Sequence, residues 1–120
     1  MTLRYKVEGY AQTRDALRWI VLSAPKFKYG LSLGEVFAGL EHGYQSVRPQ
    51  LKDADRIAQW EASQQKMKQA YALLEEGDVS QGKRTLQEAE ELFTTLRRVK
   101  GGVSRQELGD TENGANELDE

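Results

Sequence analysis

Residues 51–99, LKDADRIAQWEASQQKMKQAYALLEEGDVSQGKRTLQEAEELFTTLRRV, decide the fold of this 120-residue chain. The segment holds two sets of six residues, and in each set the members follow one another at steps of three or four. Such steps place all members of a set on one stripe of an α-helix. The first set comprises Ile57, Trp60, Gln64, Met67, Tyr71 and Leu74, and the second comprises Val79, Gly82, Leu86, Ala89, Phe93 and Leu96.

Between the two stripes lies a turn signal. Gly77 suits the left-handed position that follows a helix, and Asp78 suits the N-cap of the next one. The sequence therefore predicts an antiparallel helical hairpin folded at Gly77-Asp78. When the stripes are paired outward from this turn, Leu74 and Tyr71 face Gly82 and Leu86. Large residues tend to meet small ones, which lets two helices approach closely.

Two parts of this hairpin are candidate protein-interaction sites. At the open end, Trp60, Phe93 and Leu96 form a broader apolar surface than two helices hide, although a helix at 33–47 can cover part of it. At the tip, three acidic residues crowd the turn: Glu75, Glu76 and Asp78. The tip is either an ordinary solvated turn or an acidic knob that docks on a basic partner surface.

The N-terminal half changes its hydrophobic period several times. Residues 2–8 alternate apolar and polar side chains, which predicts a half-buried strand. Residues 26–31 alternate again and indicate either a short second strand or an extended loop. The first strand is expected to pair with 26–31 or with its copy in a dimer, because an isolated two-stranded element is marginally stable.

Two helices are predicted in the same half. Residues 13–24 have helical spacing, with Thr13 as the N-cap and Pro25 ending the helix. Ser32 and Glu35 form the S-x-x-E pattern of a capping box, followed by an apolar stripe through residue 47. The predicted fold class is therefore mainly α: a four-helix domain with a C-terminal antiparallel helical hairpin and one or two short N-terminal β-strands.

Length and charge predict the domain organisation. A chain of this size accommodates one compact domain, here residues 1–100, divided into a strand and helix half at 1–50 and the hairpin at 51–99. Residues 101–120 carry one Arg and six acidic residues with little apolar content, which predicts a disordered acidic tail. We expect this tail to help solubility or to mask a basic surface on the chain itself or on a partner.

Composition also bounds the chemistry. The chain has no Cys and one His, so thiolate chemistry is excluded, and we expect no metal, no cofactor and no catalytic site. His42 is most simply a surface or helix-end residue. The apolar run at residues 19–22 is far too short to span a bilayer, and no secretory signal is visible. We therefore expect a cytoplasmic protein with no membrane attachment.

Two local resemblances bear on function. Residues 73–79, LLEEGDV, followed by Gly82, Leu86, Ala89 and Leu92, resemble the central turn of a tetratricopeptide repeat over about 25 residues. The similarity stops in the first helix, where Lys66 and Gln69 stand at positions that the repeat fills with Trp and Leu.

The second resemblance covers the N-terminal half. A lone strand at 2–8, a helix at 13–24 and a second helix opening at Ser32 look like a ribbon–helix–helix DNA-binding module, which implies a dimer whose paired strands enter the major groove. By position, the resemblance makes Arg4 and Lys6 groove-facing and brings Ser32 to a phosphate. Lys26 and Lys28 would add basic charge. The segment from Pro25 to Leu31 is longer than the tight turn of that family.

These observations lead to two hypotheses. The first is a small non-catalytic regulatory or assembly protein that acts through contacts of its helical surfaces with another protein or with a second copy of itself. The alternative is a dimeric ribbon–helix–helix-like regulator that binds DNA through its basic N-terminal residues.

Overall fold

The computed structural model describes residues 3–97 and places four α-helices there in one compact unit. They are α1 (Gly9–Ser23), α2 (Leu33–Val47), α3 (Ala54–Glu75) and α4 (Val79–Thr94), with single 3₁₀ turns at Lys28–Gly30, Arg48–Gln50 and Thr95–Arg97. None of the helices in this part of the chain is long and apolar enough to cross a membrane. The expected acidic tail, residues 101–120, lies outside the described residues.

The helical hairpin is confirmed. The α3 and α4 helices form the most extensively packed pair of the domain. Gly77 adopts a left-handed φ of 91° after the end of α3. The Asp78 carboxylate then caps α4 by accepting a hydrogen bond from the Gln81 amide at 3.3 Å. The sequence signals at this turn therefore act as expected, and they set the register of the two helices.

The predicted pairing next to the turn is confirmed for Leu74, which lies against Gly82. Tyr71 instead packs on Phe37 of α2, with ring centroids 5.0 Å apart. Ser63, which the stripe omitted, is fully buried and donates a hydrogen bond to the Ala89 carbonyl at 2.7 Å. The reason is that α3 packs on two neighbours, so its apolar residues divide between the face on α4 and the face on α2.

The N-terminal strand is a second correction. Residues 3–8 do alternate between half-buried and exposed, but no strand is assigned within the described residues. The segment crosses α2 instead: the Val7 N–H donates to the Gly39 carbonyl at 3.4 Å. A Cβ added at Gly39 would lie within 3.0 Å of the Tyr5 carbonyl. Because Gly39 has no side chain, the extended segment lies directly on the helix.

Residues 26–31 do not form the second strand either. Phe27 and Leu31 are half-buried against the core, whereas Tyr29 is 85% exposed. Tyr29 and Gly30 both have positive φ, 63° and 67°, and the Leu31 N–H closes the turn on the Lys28 carbonyl at 3.3 Å. A tight turn of this kind reverses the side-chain alternation on which a strand depends.

The helix ends in the first half are mostly as predicted. The α2 capping box is present, with the Glu35 amide donating to Ser32 Oγ at 3.1 Å and the Ser32 amide donating to the Glu35 carboxylate at 2.8 Å. The α1 helix ends before Pro25 but begins at Gly9, earlier than expected. Thr13 is consequently a buried position within the helix rather than its cap.

A single apolar core joins all four helices. Tyr44 on α2 lies at its centre, fully buried, with its ring 5.1 Å from that of Phe93 and 6.2 Å from that of Trp60. The Trp60 indole N–H donates to the Tyr44 carbonyl at 2.9 Å. Tyr10 on α1 stacks on Phe93 from the other side at 5.2 Å. The open end of the hairpin is therefore covered by α1 and α2 of the same chain.

Candidate functional site: a groove between α2 and α3

An apolar groove of about 290 Å³ runs between α2 and α3 on the surface of the domain. The α2 wall carries Gly34, Phe37, Ala38 and Glu41, and the α3 wall carries Met67, Lys68 and Tyr71. Phe37 and Tyr71 form the floor, with ring centroids 5.0 Å apart. Concave, mainly apolar sites with a few polar groups are the usual form of binding sites in proteins.

The groove exists because α2 carries small residues there. Gly34 and Ala38 stand one helical turn apart, and neither projects enough atoms to fill the space in front of α3. An added Cβ at Gly34 would lie 3.4 Å from the Tyr71 hydroxyl. Farther along α2, Tyr44 and Trp60 close the gap with large rings. The two helices are therefore tightly packed at one end and separated by a groove at the other.

Glu41 closes one end of the groove. Its Oε2 atom accepts hydrogen bonds from the side-chain amides of Gln45 at 2.7 Å and Gln64 at 2.8 Å. Its Oε1 atom is buried and, within residues 3–97, accepts no hydrogen bond. A buried carboxylate oxygen without a donor is costly, because it has lost water and gained nothing in return. Glu41 therefore brings a buried, unsatisfied carboxylate oxygen to the wall of the groove.

Glu75 stands at the other end, beside the hairpin tip. Its carboxylate accepts a hydrogen bond from the Tyr71 hydroxyl at 3.0 Å, and this bond raises the pKa of Tyr71. Gln64 and Glu75 are 11 positions apart on α3, so the two carboxylates are separated by roughly 16 Å along the helix axis. Lys68 lies between them on the rim. The groove therefore has an apolar floor, Glu41 and Lys68 in its walls, and Glu75 beside it on the Tyr71 hydroxyl.

The predicted interaction residues divide between the core and the surface. Trp60, Phe93 and Leu96 are 5%, 0% and 3% exposed and belong to the hydrophobic core. They do not line an exposed surface of the described domain, because α1 and α2 cover them. The acidic residues of the tip, Glu75, Glu76 and Asp78, are all exposed, and Glu75 connects the tip to the groove.

Two residues of the DNA-binding alternative are engaged within the chain. Arg4 forms an ion pair with Glu35 at 3.0 Å and donates to the Tyr29 carbonyl at 2.9 Å. Ser32 is occupied by the capping box. The hydrogen bond from the Ser32 backbone, together with the charge of Arg4, lowers the pKa of Glu35. These contacts join the N-terminal segment, the turn and the start of α2.

The three lysines of that alternative remain on the surface. Lys6, Lys26 and Lys28 are exposed. No strand is assigned within residues 3–97, and the Val7 N–H of this segment donates to the Gly39 carbonyl of α2. The ribbon–helix–helix-like alternative stays a prediction.

His42 on α2 contacts the N-terminal segment. Its Nδ1–H donates to the Val7 carbonyl at 3.1 Å, and its Nε2 lies 3.7 Å from the Glu8 carboxylate. It therefore holds the N-terminal segment against α2. No group of three His, Asp or Glu side chains in the described part of the chain is placed to hold a metal ion.

Comparisons of the chain with protein-family models, with curated proteins and with solved structures found no match. The interpretation of the groove therefore depends on its own geometry.

Sequence reasoning missed the groove because its residues were assigned to packing. Phe37, Met67 and Tyr71 all lie on predicted apolar stripes, and a stripe does not reveal where two helices fail to meet. A signal was present in Gly34 and Ala38, which place small residues one turn apart in the first turns of α2. Glu41 gave no comparable signal, because a single Glu on an amphipathic helix usually faces water.

Proposed function

We propose that this protein is a small interaction module that binds an amphipathic helix of a partner protein in the groove between α2 and α3. The observation that carries the proposal is an apolar floor with the Glu41 carboxylate on one wall, one oxygen of which is buried without a donor. A second carboxylate, Glu75, adjoins the groove through its hydrogen bond from the Tyr71 hydroxyl. Helix-in-groove recognition places an apolar stripe of one helix into a groove of this kind.

The dimensions favour a partner segment of about three helical turns. The roughly 16 Å between Glu41 and Glu75 corresponds to about 11 residues of helix at 1.5 Å each. Apolar residues at steps of three and four on such a segment would contact Phe37, Met67 and Tyr71. Basic residues near its two ends would pair with the carboxylates, and charge complementarity of this type contributes specificity and orientation.

The sharpest test is selection from a displayed library of helical peptides. Each member has 14 positions, a fixed stripe of Leu at helical spacing and randomised end positions. We expect the wild-type domain to enrich Lys and Arg at both ends, and Glu41→Gln to lose the enrichment at one end only. Equal enrichment of acidic and basic ends by the wild type would contradict the proposal.

Matched variants locate the binding surface. Ala38→Arg adds a long side chain at an exposed position in the groove wall. Ala62→Arg adds the same side chain at an exposed position of α3 outside the groove. We expect the first to weaken binding of a selected peptide at least about tenfold, a change of about 1.4 kcal/mol, and the second to leave it unchanged. Equal affinity of both variants would place the binding elsewhere.

A further inference from the structure

A second surface, separate from the groove, lies where the N-terminal segment meets the turn after α1. We call it the basic corner and define it by Lys6, Lys26, Lys28 and Tyr29, all of which are exposed. Arg4 joins the two segments by donating to the Tyr29 carbonyl at 2.9 Å. The ion pair of Arg4 with Glu35 neutralises both of those charges. Lys6, Lys26 and Lys28 are left as exposed positive charges on the two segments that Arg4 joins.

Tyr29 is displayed at this corner by an unfavourable backbone. Its φ of 63° is left-handed, a conformation that is uncommon for a bulky residue. Tyr29 is nevertheless 85% exposed, so burial of its ring does not offset the energetic cost of this backbone conformation. Two contacts hold it: the turn closure from Leu31 to Lys28 at 3.3 Å and the donation from Arg4. Unfavourable backbone conformations that persist in this way are concentrated at functional positions.

We propose that the basic corner binds the acidic C-terminal segment of the same chain, residues 107–120. This segment contains no basic residue and carries six acidic ones: Glu107, Asp110, Glu112, Glu117, Asp119 and Glu120. Its carboxylates match the three lysines in charge. Leu108 and Leu118 supply apolar atoms for the exposed ring of Tyr29, because aromatic rings provide large contact areas with aliphatic side chains.

The chain is long enough for this contact. The α1 helix runs back along α4, with the Tyr10 hydroxyl on the Thr94 carbonyl at 2.8 Å and Arg18 on Glu90 at 2.6 Å. From Tyr10 to the end of α1 the distance is roughly 20 Å at 1.5 Å per residue. Residues 98–106 can span up to roughly 30 Å. The acidic segment therefore begins within reach of the basic corner.

Tethering favours the chain's own segment over a free acidic partner. A segment joined by a short linker has an effective concentration in the millimolar range at the site it reaches. A contact between exposed charges is also screened by salt, since the Debye length falls from about 30 Å at 0.01 M to about 3 Å at 1 M. The proposed contact is therefore intramolecular and weakens as the ionic strength rises, and it does not rest on the proposed function of the groove.

Paramagnetic relaxation enhancement tests this contact directly in the full chain. The chain has no Cys, so Ala115→Cys provides a single site for a nitroxide label. At low salt we expect at least about a twofold loss of amide signal at Lys26, Lys28 and Tyr29, with recovery at about 0.5 M salt. Amides near the Lys66–Glu88 ion pair, which joins α3 to α4 at 2.9 Å, should keep their intensity.

Charge-reversal variants provide the control. Lys26→Glu with Lys28→Glu should abolish the broadening, whereas Lys83→Glu with Arg84→Glu on α4 should leave it intact. The amide spectra of both variants report whether the fold is retained. Broadening that is absent at low salt, or centred on another basic surface, would overturn the proposal. Broadening that appears only when labelled and isotope-enriched copies are mixed would assign the segment to a second molecule and would overturn it too.

Discussion

At the scale of single residues, Ser63 shows how a small polar side chain joins three helices. Its hydroxyl donates to the Ala89 carbonyl of α4 at 2.7 Å and accepts from the Tyr44 hydroxyl of α2 at 2.7 Å. Burial raises the pKa of Tyr44, so its hydroxyl remains protonated and serves as a donor. Both ends of this chain of hydrogen bonds lie in the core, where water cannot replace a missing partner.

Replacing Ser63 therefore should cost more than its size suggests. We expect Ser63→Ala to lower the free energy of unfolding by about 1–3 kcal/mol, because the Ala89 carbonyl loses its side-chain donor and the Tyr44 hydroxyl its acceptor. Urea denaturation measures the change. Ser80→Ala, at an exposed position of α4, is the control and should stay within about 0.5 kcal/mol of wild type. Equal effects of the two changes would contradict the network.

The contacts of Glu35 predict how the stability of the domain depends on pH. Its pKa is lowered in the folded chain by the Ser32 backbone and by Arg4, so the carboxylate is favoured more in the folded state than in the unfolded one. Its contribution to stability is present above the unfolded pKa and is lost as the pH falls through the folded value. The stability difference between wild type and Glu35→Gln should therefore shrink on acidification from pH 7. Thermal unfolding at several pH values measures it, and a constant difference would argue against this assignment.

At the scale of elements, the glycines of α2 distinguish two kinds of neighbour. An added Cβ at Gly39 would meet the Tyr5 backbone within 3.0 Å, whereas at Gly34 its nearest contact is the Tyr71 hydroxyl at 3.4 Å. Backbone atoms held by other contacts cannot yield easily, while a distance of 3.4 Å is ordinary contact. Replacing glycine by alanine at these two positions of the same helix is therefore expected to change the stability of the domain in opposite directions.

We expect Gly39→Ala to destabilise the domain by about 1–3 kcal/mol through overpacking, and Gly34→Ala to stabilise it by up to about 1 kcal/mol through helix propensity. Urea denaturation gives both values. Hydrogen exchange at the Val7 amide adds a local measurement, because this amide donates to the Gly39 carbonyl and should lose protection in Gly39→Ala only. Stabilisation by both substitutions would show that the N-terminal segment is not held on α2.

The elements also show what the sequence could predict. The helix ends were predicted correctly because the hydrogen bonds that form them join residues close in sequence. The examples are Ser32 with Glu35 at the start of α2, and Gly77 with Asp78 between α3 and α4. The alternation at residues 3–8 was read correctly as one buried and one exposed side, but the period of two does not say what covers the buried side. Here a helix covers it, and only the absence of a Cβ at Gly39 and Gly43 pointed to a close approach.

At the scale of the whole molecule, the sequence could not predict which residues of a helix pack against which neighbouring helix. The apolar residues of α3 serve two neighbours, Leu74 facing Gly82 of α4 and Tyr71 facing Phe37 of α2. A single stripe cannot show this division, because helical periodicity gives an average direction for all apolar residues. The groove follows from the same division, since it lies where α2 and α3 separate, and it was therefore beyond sequence reasoning too.

The N-terminal segment allows a test of the whole assembly. If residues 3–8 cover α2 and Trp19 of the same chain, where Tyr5 lies 5.4 Å from the Trp19 ring, deletion of residues 1–8 uncovers apolar surface. We expect the shortened chain to keep its helical circular dichroism, to bind a hydrophobic dye such as ANS, and to self-associate more than wild type in sedimentation velocity. Paired strands in a dimer would give the opposite result, a wild-type dimer that dissociates to monomers on deletion, because the strands would be the contact between copies.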